Sequence, residues 1–459
     1  MDRFSGKRVL IIGAARQGLA LARYLVKQRA RVTLNDRQTR GQLQQVIEQF
    51  AGSGVEWVLG SHPLALLDNT DLVCVSGGVP LTLPLVQAAL ERAIPLSNDS
   101  QIFMETVKAP VVGITGSAGK TTTTSLFGRM AAAAVKPPRK AWVGGNIGNP
   151  LIEFSDEIAA NDLVVQEFSS FQLELMTTSP HVAAVLNITP NHLDRHADMA
   201  DYTRAKSRIL AYQNSSDIAV LNREDAGSWN LRPLVRGTLV SFGMERADSA
   251  GDQVYQKDNT MFAEVNGDIS ELFPVNLVSL RGKHNLMNVL AACALALACN
   301  FPAHAMLSGV EGFNGVKHRL QLVREVNGVR WYNDSIATAP ERTLAAVQSF
   351  QEPIILLLGG RDKNLPWQQL AEEVRKRVRH VVLFGEASAR IAAALGTPTA
   401  TDCLQSVTRV ETLQAALVQA SHLASRGDVV LLSPGCTSYD AFKDFEERGD
   451  AFIDWVNSL

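Results

Sequence analysis

The sequence lacks an apolar run long enough for a membrane: its longest, Leu286–Phe301, is interrupted by Asn288. A spanning helix needs about 20 such residues. It lacks C-x-x-C spacing, and its five cysteines (Cys74, Cys293, Cys299, Cys403 and Cys436) are scattered and odd in number. That points to reduced thiols and excludes a cysteine zinc site. It lacks charge imbalance, with a formal net charge of −2, so no nucleic-acid partner is expected. Low-complexity tracts, charged tails and a fixed repeat period are also missing. The opening Met1–Arg8 has no signal-peptide shape, because the apolar run Val9–Ile12 is too short and reads as a strand. The expectation is a cytoplasmic monomer without membrane contact.

What is present is length and alternation. At 459 residues, about three domains of ~150 residues are expected. Strand-like runs alternate with amphipathic helical segments throughout, which implies α/β architecture with parallel sheets. We place blocks at 1–107, 108–315 and 316–459.

The central block carries the sharpest motif, Val111-Val-Gly-Ile-Thr-Gly-Ser-Ala-Gly-Lys-Thr-Thr122. A buried strand is expected from Ala109 to Thr115 and a helix from Thr121, with Leu126, Phe127 and Met130 at helical spacing. Three glycines, Gly113, Gly116 and Gly119, lie at or in the turn and let backbone N–H groups curl around an anion. The helix N-terminus adds partial positive charge. Lys120 would reach the β- and γ-phosphates, and the Thr121 hydroxyl would face Mg²⁺. The spacing T-G-x-x-G-K-T is shorter than G-x-x-x-x-G-K-[ST], which leaves a glycine-rich turn as the alternative. Asp162–Glu167 reads as another strand, with Glu167 at its C-terminal tip, where ligands gather in α/β sheets. Glu167 would hold Mg²⁺; alternatively it caps the helix after Ser169. One strand later, Ala183–Ile188 leads into His192 and Asp194. His192 is a further candidate metal ligand, although a lone loop histidine is usually only solvated.

The first block opens with a βαβ unit, Arg8–Ile12, a helix over Leu19–Gln28, and Arg31–Asp36. Its turn, G-x-A-x-x-G, is a degenerate dinucleotide fingerprint, with Ala15 where a glycine lets backbone approach a pyrophosphate. Asp36 stands where a ribose-binding carboxylate belongs. Ser76 and Gly78 follow another buried strand. The third block alternates strands (Arg330–Asp334, Pro353–Gly360, His380–Gly385, Asp428–Ser433) with helices (Gln368–Val378, Leu413–Ser425).

Taken together, TGSAGKT (115–121), GNIG (145–148), QEFSSFQLE (166–174), NITPNHLDR (187–195), GKHN (282–285), KHR (317–319), NDS (333–335), GGRDK (359–363) and SPGCTSYDAFK (433–443) resemble the Mur ligases. These are ATP-dependent amide-forming enzymes of peptidoglycan synthesis, and the resemblance spans essentially the whole chain. It is greatest to members that add glutamate to UDP-N-acetylmuramoyl-L-alanine. It implies a Rossmann-like N-terminal domain for the UDP substrate, a central P-loop ATPase-like domain with a mostly parallel sheet, and a C-terminal Rossmann-like domain for the amino acid.

By that resemblance, Lys120, His192 and Lys206 are catalytic. ATP lies on Gly116–Thr122, Asn285, Arg319 and Asp334, with His284 nearby. Two Mg²⁺ ions lie among Thr121, Glu167, His192 and Lys206. Lys206, otherwise an ordinary helix lysine, matches one that the family carbamylates. Asp36, Ser76, Gly78 and Asn146 match positions around the UDP substrate; Thr338, Lys363, Ser438 and Phe445 match those around glutamate. Two departures stand out. Ile336 occupies the lysine position of N-D-S-K-A-T, with Arg361 and Lys363 as replacement cations, and this leaves D- against L-glutamate open. Arg16 replaces a small residue and either contacts the diphosphate or is simply exposed. Other Mur or folylpolyglutamate-type ligases, a non-catalytic nucleotide-binding regulator, and a dehydrogenase are the alternatives. The retained Lys120, Glu167, His192 and Lys206 speak against the regulator, and Ala15 against the dehydrogenase.

Overall fold

The structure, a computed structural model, describes residues 3–146, 148–190, 195–248, 251–280, 282–363 and 365–459. His192 and Asp194 therefore lie outside the described residues.

Three sheets follow one another along the chain. The first has five parallel strands in the order Glu56–Leu59, Arg31–Asp36, Arg8–Ile12, Leu72–Val75, Leu96–Ser97. Arg8–Ile12 is central, and every residue after Arg8 is buried. A continuous apolar run of this kind belongs inside a parallel sheet covered on both faces.

The second sheet has nine strands. Val111–Thr115 lies between Leu163–Glu167 and Val182–Val185, parallel to both, and all three are buried along their length. Ala141–Gly145 pairs outside Leu163–Glu167. On the other flank come Ile218–Asn222, Thr238–Phe242 and Asp252–Lys257, still parallel. Two antiparallel strands, Thr260–Val265 and Asp268–Pro274, close that edge.

The third sheet runs Gln321–Val326, Val329–Asn333, Val429–Gly435, Ile354–Gly359, Val378–Phe384, Ser406–Arg409. It is parallel except for the antiparallel first strand. Two apolar clusters fill its two faces: one holds Leu356, Leu358 and Val381, the other Ile355, Leu357 and Val382. That alternation is the period-two signature of a strand packed on both sides.

The chain divides into two compact units, Met1–Val278 with Lys283–Glu311, and Ser279–Gly282 with Gly312–Leu459. The first two sheets share the first unit. No helix of the described residues is long and apolar enough to cross a membrane, and the five cysteines are free thiols.

Candidate active site

The phosphate-loop candidate sits where strand Val111–Thr115 turns into helix Lys120–Ala134. Gly119, the residue before the helix, has φ +81, and a Cβ there would lie 2.2 Å from Asn288 Oδ1. Only glycine meets both demands. The turn is held from below by the segment after Val182–Val185. Ser117 N donates to the Asn187 carbonyl (2.9 Å). Ala118 N donates to Asn187 Oδ1 (2.8 Å), and Asn187 Nδ2 donates back to the Ala118 carbonyl (3.1 Å). Tyr202, fully buried, donates its hydroxyl to Ser117 Oγ (3.0 Å).

Two lysines meet at this turn. Lys120 Nζ donates to the Gly116 carbonyl at 2.9 Å, and Lys206 Nζ donates to the same oxygen at 2.9 Å. Lys206 comes from helix Met199–Ala211, is 1 % exposed, and rests its Nζ 4.8 Å from the Tyr202 ring centre. Burial, and after it the neighbouring Lys120 charge, hold the Lys206 pKa well below the usual lysine range; Glu167 pulls the other way. That shift favours the free amine, the nucleophilic form, more than at a surface lysine.

Glu167 ends strand Leu163–Glu167, paired with Ile114, and is 1 % exposed. Its Oε2 accepts from Thr121 Oγ1 (3.0 Å) and its Oε1 from Asn146 Nδ2 (2.8 Å). It does not cap the next helix: Ser169 does, in a capping box with Gln172. Gly116, Lys120, Thr121, Asn146, Glu167 and Lys206 thus converge at one sheet edge. Helix Lys283–Ala298 packs at the Gly119 turn through Asn288, whose Nδ2 donates to Asn285 Oδ1 (3.2 Å) on the same helix.

In the first sheet, the degenerate fingerprint folds as a tight turn. Asp36 uses both oxygens on backbone, accepting from Ala14 N (2.7 Å) and Gln38 N (2.8 Å). Ser76 Oγ donates to the Gly13 carbonyl (3.0 Å), so both residues gather at that turn. A Cβ on Gly18 would lie 2.0 Å from the Gly13 carbonyl oxygen. The Gly78 carbonyl accepts from Arg195 (3.2 Å), and Arg16 donates to the Asn146 carbonyl (3.1 Å).

In the second unit, Asp334 is buried, accepts from Leu320 N (3.1 Å) and Ser433 Oγ (2.8 Å), and is pushed by burial to a pKa of about 7. Lys363 Nζ donates to Thr338 Oγ1 (3.2 Å). Ser438 is buried, and the Phe445 ring meets His318 edge-on at 6.2 Å. Arg361 forms a two-point pair with Glu386 (2.9 Å each), so its charge already has a partner. Ile336 is half-buried.

Sequence reading missed Asn187, Tyr202 and Asn288 as parts of the loop's support. Asn288 carried a signal, since it is the polar interruption of an apolar helix. Tyr202 carried none beyond standing one helical turn before Lys206.

Comparison with known proteins matches three domain families: "Mur ligase MurD-like, N-terminal domain" over residues 7–98, "Mur ligase middle domain" over 114–296, and "Mur ligase, glutamate ligase domain" over 318–436. The chain is 39 % identical over 457 residues to the UDP-N-acetylmuramoylalanine–D-glutamate ligase of Pelotomaculum thermopropionicum, covering 99 % of this chain and 98 % of that one. It is 40 % identical over 456 residues to the ligase of the same name from Geobacter metallireducens, covering 99 % and 98 %. Among solved structures, it resembles UDP-N-acetylmuramate-alanine ligase MurC of Thermotoga maritima (TM-score 0.57, 18 % identity, covering 98 % and 99 %). It also resembles MurF of Acinetobacter baumannii (TM-score 0.57, 17 % identity, covering 100 % and 93 %). At that identity the two structures speak for the fold alone.

Proposed function

The chain belongs to the Mur ligase family, and from that membership and its loop geometry we propose how it joins D-glutamate to UDP-N-acetylmuramoyl-L-alanine in peptidoglycan synthesis. It is an ATP-dependent ligase. The observation that carries the mechanism is the meeting of Lys120 and Lys206 on the Gly116 carbonyl beside the Thr121–Glu167 pair.

The γ-phosphoryl group of ATP passes to the carboxylate of the L-alanyl residue, giving an acyl phosphate and ADP. The glutamate amine then attacks the acyl carbon, the C–O bond to phosphate breaks, and the amine gives up a proton. The first step brings two anions together. At 4 Å, unit charges repel by about 4 kcal/mol at an effective dielectric of 20. Lys120 and the N-terminus of helix Lys120–Ala134 offset that repulsion and the charge that develops in transfer. Excluding water protects the acyl phosphate from hydrolysis.

The donor set fits Mg²⁺: the Thr121 hydroxyl and the Glu167 carboxylate are hard oxygen ligands already 3.0 Å apart. Two ions are proposed, with His192 and a carbamate on Lys206 as further ligands. When bound, Mg²⁺ supplies positive charge beside the transferring phosphoryl group. The carbamate would form when the neutral Lys206 amine adds to CO₂ and loses a proton, and the buried, charge-crowded setting of Lys206 supports it. Asn146, which holds Glu167, is proposed to contact the UDP substrate as well. Asp36, Ser76 and Gly78 would receive the UDP moiety. Asn285, Arg319 and Asp334 would hold the nucleotide, and Thr338, Lys363, Ser438 and Phe445 the glutamate. A cytoplasmic location is proposed, since both nucleotide substrates are met inside the cell.

The test is phosphate release from ATP on adding UDP-N-acetylmuramoyl-L-alanine with either D- or L-glutamate. Release with D-glutamate is expected. Release with L-glutamate alone, or with neither, overturns the reading.

A further inference from the structure

His196 lies outside the machinery described so far, yet its ring touches both elements that frame it. The side chain has no solvent exposure. Its ring stacks on Phe171 (5.4 Å, 6°) and meets Tyr202 edge-on (5.0 Å). Nε2 lies 2.9 Å from Ser170 Oγ. Ser170, Phe171 and Glu174 follow the strand that ends in Glu167, whereas Asp201 and Tyr202 belong to the helix that carries Lys206. Tyr202 in turn supports Ser117 and Lys206.

The other ring nitrogen is the informative one. Nδ1 is buried and has no hydrogen bond of acceptable geometry. It stands 3.2 Å from Glu174 Oε1 and 3.4 Å from Asp201 Oδ2. Three lone-pair atoms at that spacing repel unless a proton stands among them, on Nδ1 or on a carboxyl group.

We propose that His196 is a positioning residue for the ligation: a proton held between Nδ1, Glu174 and Asp201 clamps the segment after Glu167 to the helix of Lys206. This rests on the ligase reading above. Burial, with Asp201 as the second cause, pushes Glu174 to a pKa of about 7, and burial lowers His196. The other charged groups facing the cluster are Arg195, which lies over Phe171 and draws Glu174 downward, Arg204, paired with Asp201, and Lys206. The clamp acts on the elements that place Glu167 and Lys206, not on the UDP substrate, so its loss should fall on turnover.

His196→Ala is expected to lower kcat at least tenfold with KM for UDP-N-acetylmuramoyl-L-alanine within twofold. His196→Asn, whose amide can donate to both carboxylates from the Nδ1 position, should recover most of the loss. Wild-type kcat in His196→Ala, or a folded Asn variant as poor as Ala, overturns the proposal. Should His196→Ala fail to fold, Glu174→Gln decides. Its amide donates to Nδ1 without titrating, so kcat at pH 7 should stay within twofold. Its Tm should exceed that of the wild type by a margin that widens from about pH 4, where the unfolded glutamate ionises, to about pH 7, and is level above that. A constant margin overturns the shared proton. So does a stoichiometric metal ion in the purified wild type that Glu174→Gln has lost. The Tm series does not depend on activity, so failure of the ligase reading would show separately, as a wild-type protein that releases no phosphate.

Discussion

Lys120 and Lys206 donate to one and the same acceptor, the carbonyl oxygen of Gly116, each at 2.9 Å. Two lysine side chains on one oxygen, one of them buried, is an arrangement that stability alone would not select. It makes sense where charge must gather for an anionic substrate, and where one of the two amines is meant to be neutral.

The stability cost of Lys206 is therefore measurable. Its folded pKa is lowered, so the unfolded chain binds the extra proton and stability rises with pH. Lys206→Met is expected to abolish turnover while raising Tm at pH 7. The gain should shrink toward pH 10.4, where the unfolded lysine also loses its charge, at about the ordinary lysine value. Equal or lower Tm at pH 7 would show that the buried amine is well accommodated. In the wild type, turnover in CO₂-depleted buffer should fall and return on adding bicarbonate.

Gly119 offers a second test. Its φ of +81 is unfavourable for alanine by about 1–2 kcal/mol, and the added Cβ would strike Asn288 Oδ1 at 2.2 Å. Gly119→Ala is expected to lower stability by about 2 kcal/mol or more and to raise KM for ATP. Combining it with Asn288→Ala removes the steric part alone, so denaturant melts should show partial recovery. Full recovery would mean that the backbone conformation costs nothing.

The loop, its flanking strand and helix, and the parallel core strands were legible because each pairs a local signal with one structural meaning. The pattern predicts a strand over Asp162–Glu167, and it runs Leu163–Glu167; it predicts a helix over Gln368–Val378, and it runs Gln368–Arg377. The antiparallel strands Thr260–Val265 and Asp268–Pro274 were not read. Asp268–Pro274 is an edge strand, exposed over its first four residues, and it lacks the apolar run that marks a buried strand. Within the site, residues that carry a motif were legible. A residue such as Tyr202, which acts by reaching across from another element, was not, because spacing along the chain holds no record of such contacts.

Asp334 yields a pH prediction of the opposite sign to Lys206. Burial raises it to about 7, so the folded state holds a proton that the unfolded state releases near 4. Its contribution to stability is present below the unfolded value and is lost as pH rises through about 7. Asp334→Asn is expected to match the wild type in Tm near pH 4 and to exceed it by several degrees at pH 8. Turnover should drop, because the carboxylate that Leu320 N and Ser433 Oγ hold in place is gone. A Tm gap that is the same at both pH values would show that Asp334 titrates in the fold as it does in the unfolded chain.

The missing lysine at position 336 can be restored. Arg361 is no ready substitute, since Glu386 holds its guanidinium at two points, 2.9 Å each. Lys363 is the cation placed beside Thr338, at 3.2 Å. Ile336→Lys adds a second cation to the same loop. A half-exposed ion pair contributes up to about 1 kcal/mol, so KM for D-glutamate should fall by up to about fivefold while KM for ATP holds. Glu386→Gln, which releases Arg361, should move KM for glutamate the same way if Arg361 can reach the substrate. An unchanged KM in both variants would place the side-chain carboxylate of glutamate away from this loop.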